Sequence, residues 1–109
     1  MYTIIDIESN GAPFRKESII EIAIYKYDGH EIVDQFISLV NPESEITPFV
    51  QKLTKISPKM VKTAPHFHEI ARRVVEITEH TTLVGHNIDF DYRMLRQEFK
   101  RLGYEFKIN

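Results

Sequence analysis

Tyr2-Thr3-Ile4-Ile5-Asp6-Ile7-Glu8 opens the chain, apolar and β-branched nearly throughout. That texture predicts a strand buried on both faces. Ser9-Asn10-Gly11-Ala12-Pro13 breaks it with turn-forming residues. Beyond the break, Ile19 to Tyr27 and Ile32 to Val40 are two more β-rich runs, joined at Asp28-Gly29, a strong hairpin signal. Asn41-Pro42 ends the third run, so the first 40 or so residues predict a three-stranded antiparallel meander.

The pattern changes after Ile46. Thr47-Pro48 and Ser57-Pro58 each set a capping hydroxyl before a proline suited to a first helical turn, which predicts two short helices. A longer helix is expected from near Pro65, with Phe67, Ile70, Ala71, Val74 and Ile77 at spacings of three and four. Thr82-Leu83-Val84-Gly85 predicts a fourth strand. A second long helix follows from about Ile88 to Leu102, carrying Phe90, Met94, Leu95, Phe99 and Leu102 on one stripe, with Gly103 as its C-terminal stop. Tyr104 to Ile108 alternates as the start of a fifth strand. The whole is an α/β pattern, a mixed sheet with flanking helices, in one domain over residues 1–109. A last strand that has only begun suggests a fold left incomplete at its C-terminal end.

Composition narrows the functional classes. Of 109 residues, 42% are hydrophobic and 28% charged, which excludes disordered and fibrous chains. No apolar run approaches the roughly 20 residues of a membrane span, and no basic stretch precedes an apolar one at the N-terminus. The absence of cysteine excludes disulfides, thiol catalysis and cysteine-bound metals, and with the other features points to the cytoplasm. The net charge of −2 is unevenly spread: residues 1–50 carry three basic and nine acidic side chains, residues 51–109 eleven and seven. An acidic patch beside a basic one suits a metal-bearing site that handles a phosphate backbone; ordinary scatter of surface charge produces the same numbers.

Two constellations carry chemistry. Asp6 and Glu8, two apart on a strand, project to one side. Paired carboxylates among isoleucines are unfavourable unless they lie at an exposed strand end or a cation neutralises them; hard oxygen ligands suit Mg²⁺ or Mn²⁺. The second is Val84-Gly85-His86-Asn87-Ile88-Asp89-Phe90-Asp91, a strand running into a helix at a sheet edge. Asp89 suits the helix dipole, which leaves Asp91 free to face the sheet.

Taken together, Asp-x-Glu on a first strand followed by Val-Gly-His-Asn-x-x-Phe-Asp resembles the first two motifs of the DEDD 3′–5′ exonuclease superfamily, in the branch of the DNA polymerase III epsilon proofreading subunit and RNase T. The segment between is similar as well: Leu53-Thr54-Lys55-Ile56, Met60 and Ala64-Pro65-His66-Phe67 follow that family's order. The resemblance implies an RNase H-like sheet in which the fourth strand lies parallel beside the first. It also implies hydrolysis of the terminal phosphodiester of a single-stranded or frayed 3′ end of DNA or RNA, releasing nucleoside 5′-monophosphates. Two Mg²⁺ or Mn²⁺ ions would be held by Asp6, bridging, Glu8 on the nucleophile side and Asp91 on the leaving-group side. Ser9 and Asn10 would meet the phosphate, and Leu53 and Ile56 the terminal base. Asn87 is read either as a helix cap or as a substrate contact. Polymerase subunits or a further nuclease domain are the partners such relatives have.

This sequence departs from the family pattern at three places. Ser9-Asn10-Gly11 stands where Thr-Thr-Gly is usual, and Lys55 where glycine is usual. The family's third motif, His-x-x-x-x-Asp on a later helix, has no counterpart; His86 and Asp91 share its spacing, but they lie in the second motif. The chain therefore reads as the N-terminal part of an exonuclease, impaired by itself, because loss of a general base costs about 10²–10⁴-fold. The alternative is a non-catalytic module of the same fold that binds nucleic-acid ends or a polymerase.

Overall fold

The computed structural model describes residues 1–108. Its elements are β1 (Tyr2–Ser9), a turn of 3₁₀ helix (Phe14–Lys16), β2 (Ile19–Tyr27), β3 (Ile32–Leu39), α1 (Pro48–Thr54), α2 (Pro58–Lys62), α3 (Phe67–Thr78), β4 (Thr82–Val84) and α4 (Ile88–Arg101). The sheet order is β3-β2-β1-β4, with the first three strands antiparallel and β4 parallel to β1.

Local chemistry accounts for most boundaries. At the β2–β3 turn, Asp28 Oδ1 accepts the N–H groups of His30 and Glu31, and Gly29 takes a φ of 103°. Thr47 caps α1 by accepting the Val50 N–H, and Ser57 caps α2 by accepting that of Met60. Before α3, the Glu69 carboxylate accepts the His66 N–H at 2.9 Å. After α4, Gly103 at φ 77° lets the Tyr104 N–H reach back to the Phe99 carbonyl.

The two long helices cover one face of the sheet. Phe67, Ile70, Val74 and Ile77 of α3 and Met94, Leu95 and Phe99 of α4 pack on Ile5, Ile7, Ile22 and Ile24. Phe67 meets Phe99 edge-on with ring centroids 5.0 Å apart. A smaller cluster of Ile20, Ile46, Ile56 and Val61 seats α1 and α2 at the end of the sheet.

Two expectations are corrected. Among the described residues β1 is buried on one face only: Thr3, Ile5 and Ile7 are covered, whereas Tyr2 and Ile4 are 45% and 40% exposed. A run of β-branched residues satisfies either environment, so the sequence did not distinguish them. The fifth strand is also absent over 104–108. Phe106 stacks on Phe99 at 4.8 Å, so the alternating aromatics serve the core beside α4 and not a ladder.

Candidate active site

The site is set by the shortness of β4. Thr82 donates its N–H to the Met1 carbonyl, so the odd-numbered residues of β1 direct their backbone groups toward β4. β4 pairs only with Tyr2, Thr3 and Ile4 and ends at Val84. The Ile7 amide therefore has no strand to bond. Asp91 takes that role: its Oδ1 accepts the Ile7 N–H at 3.1 Å, across 84 residues of sequence.

The helix start supplies the reach. The Asn87 carbonyl accepts the N–H groups of Phe90 and Asp91, which fixes the first turn of α4. Gly85 makes room: a Cβ there would lie 2.9 Å from Asp91 Oδ2 and 3.0 Å from the Ile5 carbonyl oxygen. Glycine is required by close approach, not by an unusual backbone angle.

Asp91 is 3% exposed. Burial pushes its carboxyl up to about 6, against the opposing effect of the Ile7 hydrogen bond and with a further upward push from Asp6. Glu8, half-buried, is also raised, first by burial and then by the charges of Asp6, Glu21 and Asp91. Glu21 lies directly across from Glu8 in the ladder. Sequence reasoning passed over it; the β1–β2 register is set across the long 10–18 connection, which carries no two-residue hairpin turn from which to count.

The structure thus brings Asp6, Glu8 and Asp91 to one strand edge. None of the three has an ion-pair partner among the described residues. Hard, crowded carboxylates without a counter-charge fit a divalent cation. The fit is to a partial ligand set: among the described residues no three acidic or histidine side chains close around one point. Water and phosphate oxygens would complete the coordination.

The expected substrate contacts divide. Asn10 is fully buried, and its side chain is saturated: Nδ2 donates to Ser44 Oγ and the Glu45 carbonyl, while Oδ1 accepts the N–H groups of Ala12 and Ser18. It braces the loop and offers no side-chain group to a phosphate. The Ser9 hydroxyl donates to Glu17 Oε2 at 2.6 Å, so its proton is engaged as well. The Asn10 N–H donates to the Ser18 carbonyl and that of Gly11 to Ser9 Oγ, so these loop amides turn inward. Ile56, 4% exposed, belongs to the α1–α2 core and cannot press on a base.

Leu53 does project, at 68% exposure, and Phe49, which sequence reasoning missed, stands one turn before it at 73%. The i,i+4 spacing of two large apolar residues on a short helix was the available signal, and the structure shows that no side chain of that helix is buried. Gly11 holds α1 against the β1 loop: a Cβ there would meet Val50 Cγ2 at 2.6 Å and Thr47 Oγ1 at 2.7 Å. Asn87 is exposed and its side chain makes no capping bond, which removes the helix-cap reading. Lys55 adopts φ 64° as the C-cap of α1. That left-handed conformation is why glycine suits the position.

An exonuclease family model of the RNase T type matches residues 3–109. A curated relative, the 3′-5′ exonuclease DinG of Staphylococcus haemolyticus (strain JCSC1435), is 32% identical over 106 residues, which is 97% of this chain and 12% of the relative. The protein of that name from Staphylococcus aureus (strain USA300) is 30% identical over the same length and shares. The chain thus spans about an eighth of the length of these relatives. Among solved structures, exonuclease X in complex with 5′ overhanging duplex DNA is 29% identical with a TM-score of 0.73, covering 87% of this chain and 54% of that one. E. coli exonuclease I in complex with a dT13 oligonucleotide has a TM-score of 0.81 at 18% identity, over 95% of this chain and 24% of that one, a likeness of fold alone.

Proposed function

The chain belongs to the RNase T-type exonuclease family of the DEDD superfamily, and on that premise we propose that it is the first-two-motif portion of a metal-dependent 3′–5′ exonuclease domain acting on DNA 3′ ends. The observation that carries this reading is the seat of Asp91: a carboxylate from the second motif hydrogen-bonded to the strand amide between Asp6 and Glu8. That contact unites residues distant in sequence where a scissile phosphate would lie.

A pair of Mg²⁺ or Mn²⁺ ions would supply the positive charge that activates water and stabilises the departing 3′ oxygen. Asp6 is exposed on β1, Glu8 lies across the ladder from Glu21, and Asp91 comes from the first turn of α4 to the Ile7 amide between them. Leu53 and Phe49 give an apolar surface against which a base of any identity can rest. Asn87, exposed just before α4 with no side-chain capping bond, would be the substrate contact on that side. No histidine base of the third motif is present in these residues, so the chain by itself hydrolyses weakly. A phosphate-binding module without catalysis is disfavoured, because uncompensated carboxylates repel phosphates.

Thermal unfolding with increasing MnCl₂ tests the metal reading. Tm should rise with MnCl₂ in the parent chain and stay unchanged in Asp6→Asn. An equal rise in both would show that the ions bind elsewhere. Incubation of a 3′-labelled oligonucleotide with Mn²⁺ should release mononucleotides slowly; rapid release would overturn the impairment.

A further inference from the structure

On the outer side of α4, away from the carboxylates, the chain forms a groove of about 1000 Å³ lined by Arg15, Arg93, Arg96, Lys100, Arg101 and Tyr104 among others. Two of its five cations are committed. Arg93 pairs with Glu17 at 3.2 Å, and Arg101 pairs with Glu98 while donating to the carbonyls of Arg15 and Glu17. The one acid on the wall, Glu105, pairs with Lys107 at 3.4 Å. Arg15, Arg96 and Lys100 are exposed and have no ion-pair partner among the described residues. Arg96 lies over the Tyr92 ring, 5.6 Å from its centroid, which orients the guanidinium without neutralising it.

The stripe Arg93, Arg96, Lys100 runs about 10 Å along the helix at 1.5 Å per residue. It starts two residues after Asp91. Its upper end joins the β1 loop through Arg93, Glu17 and the Ser9 hydroxyl. Half-exposed Tyr104 adds an aromatic face. A track of cations, of which Arg96, Lys100 and the neighbouring Arg15 are unpaired, with an aromatic wall and beginning two residues beyond Asp91, has the chemistry of a single-strand nucleic-acid channel.

We propose that this groove is a second nucleic-acid contact, holding the backbone of a single strand beyond the nucleotides in the carboxylate site. The choice of nucleic acid as the polyanion rests on the exonuclease reading; the groove itself does not depend on metal or catalysis.

The test is fluorescence anisotropy of the chain with a fluorescein-labelled dT12 strand in EDTA, across a salt series. Arg96→Ala/Lys100→Ala should weaken binding at least tenfold and lower the salt slope by about 1.4, at roughly 0.7 per cation for a single strand. The control pair Lys26→Ala/Arg72→Ala removes the same charge from β2 and α3, away from the groove, and should change affinity less than twofold. Circular dichroism checks that both fold. Equal losses in the two double variants would overturn the assignment, as would displacement of dT12 by polyglutamate of matched charge as effectively as by unlabelled dT12. That second outcome would mark the groove as a site for acidic polypeptide. Because no metal is present, failure here leaves the carboxylate site untouched, and failure of hydrolysis leaves the groove untouched.

Discussion

Replacing Asp91 with Asn removes one charge from the most confined carboxylate of the site and little volume. In the native chain that carboxyl is held at about 6, against 3.8 for an ordinary aspartate. As pH rises past 4 the unfolded chain loses the proton first, while the folded chain keeps it until about 6. Stability therefore falls across that window and levels off above it. Two units at 1.36 kcal/mol each give about 3 kcal/mol of lost stability at neutral pH. Asparagine cannot ionise, and its Oδ1 can still accept the Ile7 N–H. In EDTA, Asp91→Asn should match the parent near pH 4 and exceed it by about 2–3 kcal/mol at pH 7.5, a rise of roughly 10 °C for a chain this size. The assay is thermal and urea unfolding by circular dichroism at both pH values. Manganese should then stabilise the parent and leave the variant unmoved. A variant less stable than the parent at pH 7.5, or a difference independent of pH, would refute the idea that Asp91 is a confined, charge-strained group.

Three other outcomes follow from the same geometry. Gly85→Ala drives a Cβ against Asp91 Oδ2 and the Ile5 carbonyl, and should cost about 1–3 kcal/mol in urea unfolding and reduce the manganese-induced rise in Tm. Asn10→Ala strands the Ser18 N–H and the Glu45 carbonyl inside the loop and should destabilise by about 2 kcal/mol or more, with loss of metal response only as the fold is lost. Lys55→Gly removes a side chain from a φ of 64° and should raise stability by about 1 kcal/mol, after allowing for the freer unfolded chain; a loss would mean that the lysine has an uncounted partner.

What the sequence made legible follows from period and sign. Asp6 and Glu8 are two apart on a strand, and Asp91 follows a strand end, so their shared edge needed no coordinates. The meander and both long helices rest on equally local patterns. The misreadings share a cause: each depends on what a distant segment claims. Asn10 is taken by Ser44 and Glu45, more than thirty residues away, and Phe106 by Phe99. Leu53 and Ile56 are three apart and apolar alike, and only the seating of α1 on the Gly11 turn decides that one faces out and the other in.

A strand of three residues beside one of eight makes the chemistry of this molecule contingent on where a zipper stops. Had β4 run on by one more repeat of the pleat, its own carbonyl would have occupied the Ile7 amide, and the helix acid would have lost its anchor. In such a lineage, silencing or awakening the fold would need no change to any acidic residue. A small slip in the length of its shortest ribbon would be enough.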